Sequence, residues 1–506
     1  MRLSRLLLSA GLLCLLLPEA AAGDRAYAVD DRTRSLADGS PVLTRLNQQI
    51  LRVTSAGRAT LEQSLVQTVF SAAGREEAGQ FGIYYDDFRR VRAFEGILRD
   101  SEGRVIHRVA LRDSRDAAIS TFSLYDGLRY RHAEIYSDRY PYTVEWRTEV
   151  EHRGLIGWPS WYAQPFGRPL ESGSYTVIVP AGTAVRHRTQ HIQVEPLIST
   201  AQTQDRYVWS VTTMPAQTSE PFAPAVRDRV PAVFVVGNEF EIGGSPGRLD
   251  SWEAFAEWYG GLSIGRDGLP AEAQREVEQI VVGAETDREK AERLYAHLQR
   301  TTRYVSIQLG LGGWQPFDAA YVFRQRYGDC KALTNYLYAM LRHVGVESFP
   351  ALIYSGDGDP LVDDFPDNVF NHVVLNVPLP EQEGGSVWLE CTSPFHGFGY
   401  LGASNQGRRA LLVTAEGGRL VRTPDSSPDE NRVERLITIE VAASGNADAE
   451  ATWSFTGERR ARTAAVLTSA SAADREAWLN AALGMTGPRV MNLTTESLDR
   501  REPLLK

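Results

Sequence analysis

Cysteine is scarce in this chain, with three residues in 506: Cys14, Cys330 and Cys391. Cys14 lies in a segment expected to be removed, so two thiols remain, enough for one disulfide at most. Long apolar runs are scarcer still. Leu6 to Leu17 ends at Pro18 and falls short of the roughly 20 residues that a bilayer-spanning helix needs. No later stretch is long and apolar enough to span, so no transmembrane anchor is expected. Positive charge is in deficit, with 54 Lys and Arg against 64 Asp and Glu and a net charge of −10. That balance argues against a broad phosphate-binding surface and therefore against nucleic acid as a partner. His107, His132, His152, His187 and His191 are scattered among arginines at spacings unlike those of a metal site, and read as solvated or interdomain residues.

What is present describes an exported globular protein. Hydrophobic residues make up 43% of the chain and charged residues 23%, ordinary proportions that allow sizeable cores. Arg2 and Arg5 precede the apolar run, and Ala20-Ala21-Ala22 supplies small residues before Gly23. This pattern predicts a signal peptide over 1–22 and a periplasmic or extracellular mature protein. Gly11-Leu12-Leu13 before Cys14 lacks the small residue that a lipidation site wants next to its cysteine.

Three further regions follow. Residues 40–225 carry β-branched and alternating runs at 104–109, 143–150 and 174–180, separated by Gly-Pro punctuation, and predict an antiparallel β-sandwich. Pro215 to Pro231 reads as a linker or irregular crossing. Residues 231–430 mix helical and strand patterns and predict an α+β core. Ser251 caps a helix that should stop at Gly260-Gly261, and Thr286-Asp287-Arg288-Glu289 opens the next as a capping box. Residues 431–506 begin another β-rich segment, expected to be incomplete, with a helical stretch at 472–483.

The chemistry concentrates in three short blocks of the core. Cys330, in Tyr327-Gly328-Asp329-Cys330-Lys331, opens a helix whose Leu333, Leu337, Met340, Leu341 and Val344 share one face before Gly345. A helix N-terminus offers partial positive charge and free N–H groups, which favour a thiolate and can also serve an oxyanion. Asp329 is placed as the cap. His372 lies in the strand-forming run from Phe370 to Val377, one element away, where it can accept the thiol proton. Glu390 lies in the run from Val387 to Cys391, where an unpaired carboxylate would be costly. Pairing with His372 would satisfy it and fix the imidazole. Alternation puts Trp388, Glu390 and Thr392 on one face, and Leu389 and Cys391 on the other. Cys391 then reads as a small apolar core residue. Asp357, Asp359, Asp363, Asp364 and Asp367 do not follow a calcium-loop pattern, because Pro360 and Leu361 interrupt it; they read as a solvated loop that borders the cleft.

These blocks, Gly328-Asp329-Cys330-Lys331, Asn371-His372-Val373 and Trp388-Leu389-Glu390-Cys391-Thr392, resemble in order and spacing the transglutaminase-like core, a papain-related superfamily. The preceding strand-rich region is similar to the uncharacterised β domain that accompanies this core in bacterial exported proteins. The resemblance implies Cys330 as nucleophile, His372 as general base and Glu390 as orienting acid, glutamate standing where aspartate is usual. Trp314 and Gln315, upstream of the nucleophile, are candidate donors to the oxyanion. The chemistry needs no cofactor and no metal.

The expected reaction is attack of Cys330 on an amide or acyl carbonyl of a peptide or protein, followed by resolution with water (peptidase or amidase) or an amine (acyl transfer). Two other readings compete. In one, the core is an inactive envelope scaffold whose β domain binds a protein partner. In the other, Cys330 and Cys391 form a thiol–disulfide couple.

Overall fold

The computed structural model describes residues 26–119 and 125–483. The expected leader, with Cys14, lies outside the described residues.

The N-terminal region is built on one eight-stranded sheet. Its order is Leu197–Thr200, Gln204–Met214, Leu170–Pro180, Val42–Ser55, Arg58–Val69, Tyr142–His152, Arg89–Arg99, Val105–Val109. Neighbours are antiparallel except Val42–Ser55 and Leu170–Pro180, which run parallel. A parallel pair needs a long crossover, and more than a hundred residues separate these two strands. Local alternation carries no trace of that pairing.

Two three-stranded sheets cover this large sheet. One contains Trp161–Tyr162, Ala232–Gly237 and Val185–Gln190; the other contains Gln80–Tyr85, Arg129–Glu134 and Arg115–Ala118. Ala59 and Leu61 pack in the first apolar cluster, Leu65 and Val69 in the second. All four have odd numbers on one strand without a bulge, so both small sheets lie on the same face of the large one.

Ala232–Gly237 joins the two main regions. Val233 and Val235 pack into the β region, whereas Ala232, Phe234 and Val236 pack against the core helix Trp252–Ser263. The division expected at 225–231 therefore falls just before a strand that both regions share. Helix Trp252–Ser263 starts at the Ser251 cap, whose side chain accepts from Ala254 N–H, but it runs through Gly260-Gly261 to Ser263. Burial of Tyr259 and Leu262 holds that last turn against the glycine penalty.

The core packs helices Ala271–Ile280, Asp287–Thr301, Ala319–Gln325 and Cys330–His343 on a five-stranded antiparallel sheet. The sheet order is Val387–Leu389, His372–Val377, Phe349–Ile353, Arg409–Thr414, Gly417–Arg422. Leu333, Leu337, Met340 and Leu341 of the Cys330 helix meet Leu294 and Leu298 on one side and Leu375 and Leu389 of the sheet on the other. The helix is thus clamped, and its first residue is fixed relative to the first residue of the His372 strand. Beyond the core comes a hairpin, Val433–Val441 with Ala447–Phe455, followed by helices Gly457–Ser469 and Ala472–Leu483. The last segment is therefore helical as well as stranded.

Candidate active site

Asp329 sets the start of the Cys330 helix. Its Oδ1 accepts from Ala332 N–H at 2.9 Å, and Oδ2 pairs with the Lys331 ammonium. Both side chains are buried, so the lysine charge adjacent to the thiol is spent locally. Helix geometry leaves the N–H groups of Cys330 and Lys331 without an intrahelical acceptor. Cys330 itself is 5% exposed and packs among Ile156, Ile242, Tyr259, Leu352, Phe370 and Val373.

His372 is the first residue of its strand, and Glu390 follows the last residue of the neighbouring one. The two strands are paired, which brings the side chains together: His372 Nε2 donates to Glu390 Oε2 at 2.7 Å. The Cys330 side chain lies beside the same imidazole, close enough to help raise its pKa. With Nε2 committed to Glu390, Nδ1 is the ring nitrogen left for sulfur. The three expected residues are therefore contiguous, with the imidazole in the middle.

Glu390 is saturated with donors. Thr392 gives its N–H at 2.8 Å and its hydroxyl at 2.6 Å to Oε1, and Asn405 Nδ2 donates to Oε2 at 2.9 Å. Burial raises the Glu390 pKa, but the His372 charge and these hydrogen bonds outweigh it and bring the group down to about 2. Burial likewise pulls the His372 pKa down, yet the Glu390 charge and the neighbouring Cys330 side chain hold the ring well above the usual histidine range. The proton on imidazole is thus stabilised from both sides. The extra methylene of glutamate is accommodated because Glu390 lies just beyond the strand end, where the chain turns back through Thr392.

Trp314 and Gln315 part company. Trp314 lines the same cleft as Cys330, and its ring stands edge-on to Phe255 and Trp258. Gln315 turns away: its side-chain amide donates to the Leu262 carbonyl and its N–H to the Leu311 carbonyl. The Leu311 carbonyl of the Gly310–Gly313 turn thus takes up the backbone amide that was expected to face the oxyanion. Tyr259, buried and lining the cleft, and Asn405, behind Glu390, are site residues that the sequence did not single out. Thr392 was legible only as a residue on the Glu390 face.

Cys391 takes the opposite side. It is buried among Leu333, Leu337, Val377 and Leu389, and burial pushes its thiol well above the ordinary range. Both described cysteines are free. Of the acidic loop, Asp359 and Asp363 pair with Arg409, while Asp367 is half-buried and raised to about 6 by desolvation. Its solvated-loop reading therefore fails at Asp367, which is tucked against Gly157 of the β region, where any side chain would collide with its carboxylate.

The cleft that holds Cys330, Lys331 and His372 has a volume of about 750 Å³. Its far wall comes from the β region: Leu61, Asp87, Phe88, Val150, His152 and the turn 154–159.

This architecture defines a β domain followed by a cysteine-bearing α+β core. Residues 274–400 match the transglutaminase-like superfamily, a span that contains all three blocks, and residues 55–218 match a domain of unknown function, DUF3857. The chain carries these two matches in this order. It shares its fold with a candidate protease of Parabacteroides distasonis, at 16% identity and a TM-score of 0.58 over 80% of this chain and 79% of that one. A candidate cysteine protease of Cytophaga hutchinsonii aligns at 9% identity and a TM-score of 0.20 over 79% and 91% of the two chains. The periplasmic domain of TgpA from Pseudomonas aeruginosa aligns at 14% identity and 0.19 over 60% and 88%. No curated protein matches the chain.

Proposed function

We propose that this protein is an exported cysteine enzyme that cleaves or transfers the acyl group of an amide bond in a peptide or protein. The observation that carries this reading is the imidazole of His372, which lies beside the Cys330 side chain on one side and donates to Glu390, at 2.7 Å, on the other.

In this mechanism the thiol proton rests on His372 and the sulfur attacks the substrate carbonyl carbon. The free N–H groups at the helix start, with Trp314 and Tyr259 nearby, face the oxygen that becomes negative. The tetrahedral species collapses with rupture of the C–N bond, and the departing amine takes the proton from His372. A thioester on Cys330 remains. Water or a second amine then attacks it, gives its proton to His372, and releases an acid or a new amide. Glu390 stays ionised throughout and stabilises the imidazolium. Nothing in these steps calls for a metal or an organic cofactor. The apolar leader at 1–22 supports export, and the absence of a second long apolar run supports a soluble mature form.

Intact-mass spectrometry during turnover of a mixed peptide pool tests the proposal. A hydroxylamine-labile adduct on Cys330 is expected in wild type and is absent in Cys330→Ala. Turnover without any Cys330 adduct, or turnover that survives Cys330→Ala, contradicts it. Absence of any turnover across the pool favours the scaffold reading.

A further inference from the structure

The cleft wall opposite Cys330 belongs to the β domain, and it carries polar groups that nothing in the fold uses. The charges around the sulfur are matched: Lys331 pairs with Asp329, and His372 with Glu390. On the facing wall Asp86 pairs with Arg89 at 2.6 Å. Asp87 is left over. It is exposed, lines the cleft, and among the described residues has no hydrogen-bond or ion-pair partner.

His152, at the end of the central strand Tyr142–His152, is the second unused group. It is 7% exposed and lines the cleft, and neither ring nitrogen has a partner among the described residues, Nε2 being wholly shielded. A buried polar group left unpaired is costly, so a ring kept in that state on a cleft wall is poised for an incoming donor or acceptor. Burial first, and Arg89 next, bring its pKa down to about 4 against the opposing pull of Asp86, so the ring is neutral near pH 7. Leu61, Phe88, Val150 and Ile156 surround these groups with apolar surface. A volume of about 750 Å³ holds several residues of a peptide.

We infer that the β domain forms half of the substrate site: His152 hydrogen-bonds to the substrate backbone, and Asp87 selects a peptide that carries a cationic group beside an apolar side chain. The inference rests on Cys330 being the acylated thiol. The β domain would then set specificity while the core supplies the chemistry.

The test uses the full chain and N-acetylated peptidyl acyloxymethyl ketones that differ only in Lys or Glu at one position, moved along the peptide. Each rate of Cys330 labelling is divided by the rate of the same variant with iodoacetamide, which reports thiol reactivity alone. Wild type should favour Lys over Glu at one position by about fivefold, the upper range for an ion pair open to solvent. Asp87→Asn should bring that ratio to about one, and Asp87→Lys should invert it. His152→Phe, which keeps the ring volume, should slow all peptidyl probes by about three- to tenfold, the worth of one hydrogen bond. Equal Lys and Glu rates in wild type, a preference unchanged in Asp87→Asn, or no peptidyl labelling beside normal iodoacetamide labelling would overturn the inference. Failure of the catalytic reading has a different signature: iodoacetamide labelling that His372→Ala leaves unchanged.

Discussion

The start of the helix Cys330–His343 and the end of the strand Val387–Leu389 each bury one cysteine, and their exposures, 5% and 4%, are nearly equal. Their neighbours are not. Cys391 sits among leucines and valines, and its polar neighbours are the Leu389 carbonyl, at 3.8 Å, and the Thr334 side chain. Burial there only disfavours the charged form, and the thiol is pushed up. Cys330 meets an imidazole whose proton is anchored by a carboxylate with three further hydrogen bonds from Thr392 and Asn405. The comparison teaches that exposure does not tell the two thiols apart; the difference lies in where a displaced proton could go. The carboxylates repeat the lesson. Glu390 is held at about 2 by its several donors, whereas Asp367, half-buried with the Asn368 N–H as its hydrogen-bond donor, is raised to about 6 by desolvation.

Removing either thiol gives the largest contrast. Cys330→Ala should abolish turnover, whereas Cys391→Ala should keep it and lose about 1 kcal/mol of stability in urea unfolding, the cost of a small cavity. Loss of turnover in a folded Cys391→Ala protein would erase the distinction.

Next in size is the base. His372→Ala should lower kcat/KM by about 10²- to 10⁴-fold, the range for general acid–base groups, with unfolding still cooperative. A loss below tenfold would detach the histidine from the chemistry.

Glu390→Gln should cost less, about tenfold in kcat, because an amide oxygen can still orient the ring, as amides do in related triads. Stability carries a second signature. A carboxyl held at about 2 in the fold contributes stability that is complete above the ordinary carboxylate range and is lost as pH falls toward 2. The glutamine variant should therefore be less stable than wild type at pH 7 and decline less steeply in acid. Parallel acid profiles would contradict the assignment.

Asp367 gives the smallest effect, with the opposite sign. Its raised pKa penalises the ionised fold above pH 6, so Asp367→Asn should gain about 1–2 kcal/mol at pH 7 and little at pH 4. Equal gains at both pH values would show that its ionisation is not the cause.

The local features of the fold were legible in the sequence: the Ser251, Thr286 and Asp329 caps, the strands read at 104–109, 143–150 and 174–180, which the fold places at 105–109, 142–152 and 170–180, and the helix that begins at Cys330. The three site blocks were legible too: Cys330 follows a cap at a helix start, and His372 and Glu390 each stand as a polar group in a largely apolar run, a pattern that demands a partner. What escaped is non-local. Asn405 reaches Glu390 across 15 residues from a turn with no periodicity of its own. Gln315 looked available until the Gly310–Gly313 turn directed its amide to Leu262. The cleft wall formed by His152 and Asp87 depends on how two domains meet, through the shared strand Ala232–Gly237 and the Gly157 contact with Asp367. Neither strand alternation nor helix spacing encodes such docking.

The most direct measurement follows both cysteines at once. Native protein is alkylated with iodoacetamide from pH 5 to 9, and the modified peptides are quantified by mass spectrometry in wild type and in His372→Ala. In wild type, labelling of Cys330 should exceed that of Cys391 throughout, and His372→Ala should slow the Cys330 reaction at pH 6 by about tenfold or more, with Cys391 unmoved. Equal rates for the two thiols, or a Cys330 rate indifferent to His372, would contradict the account.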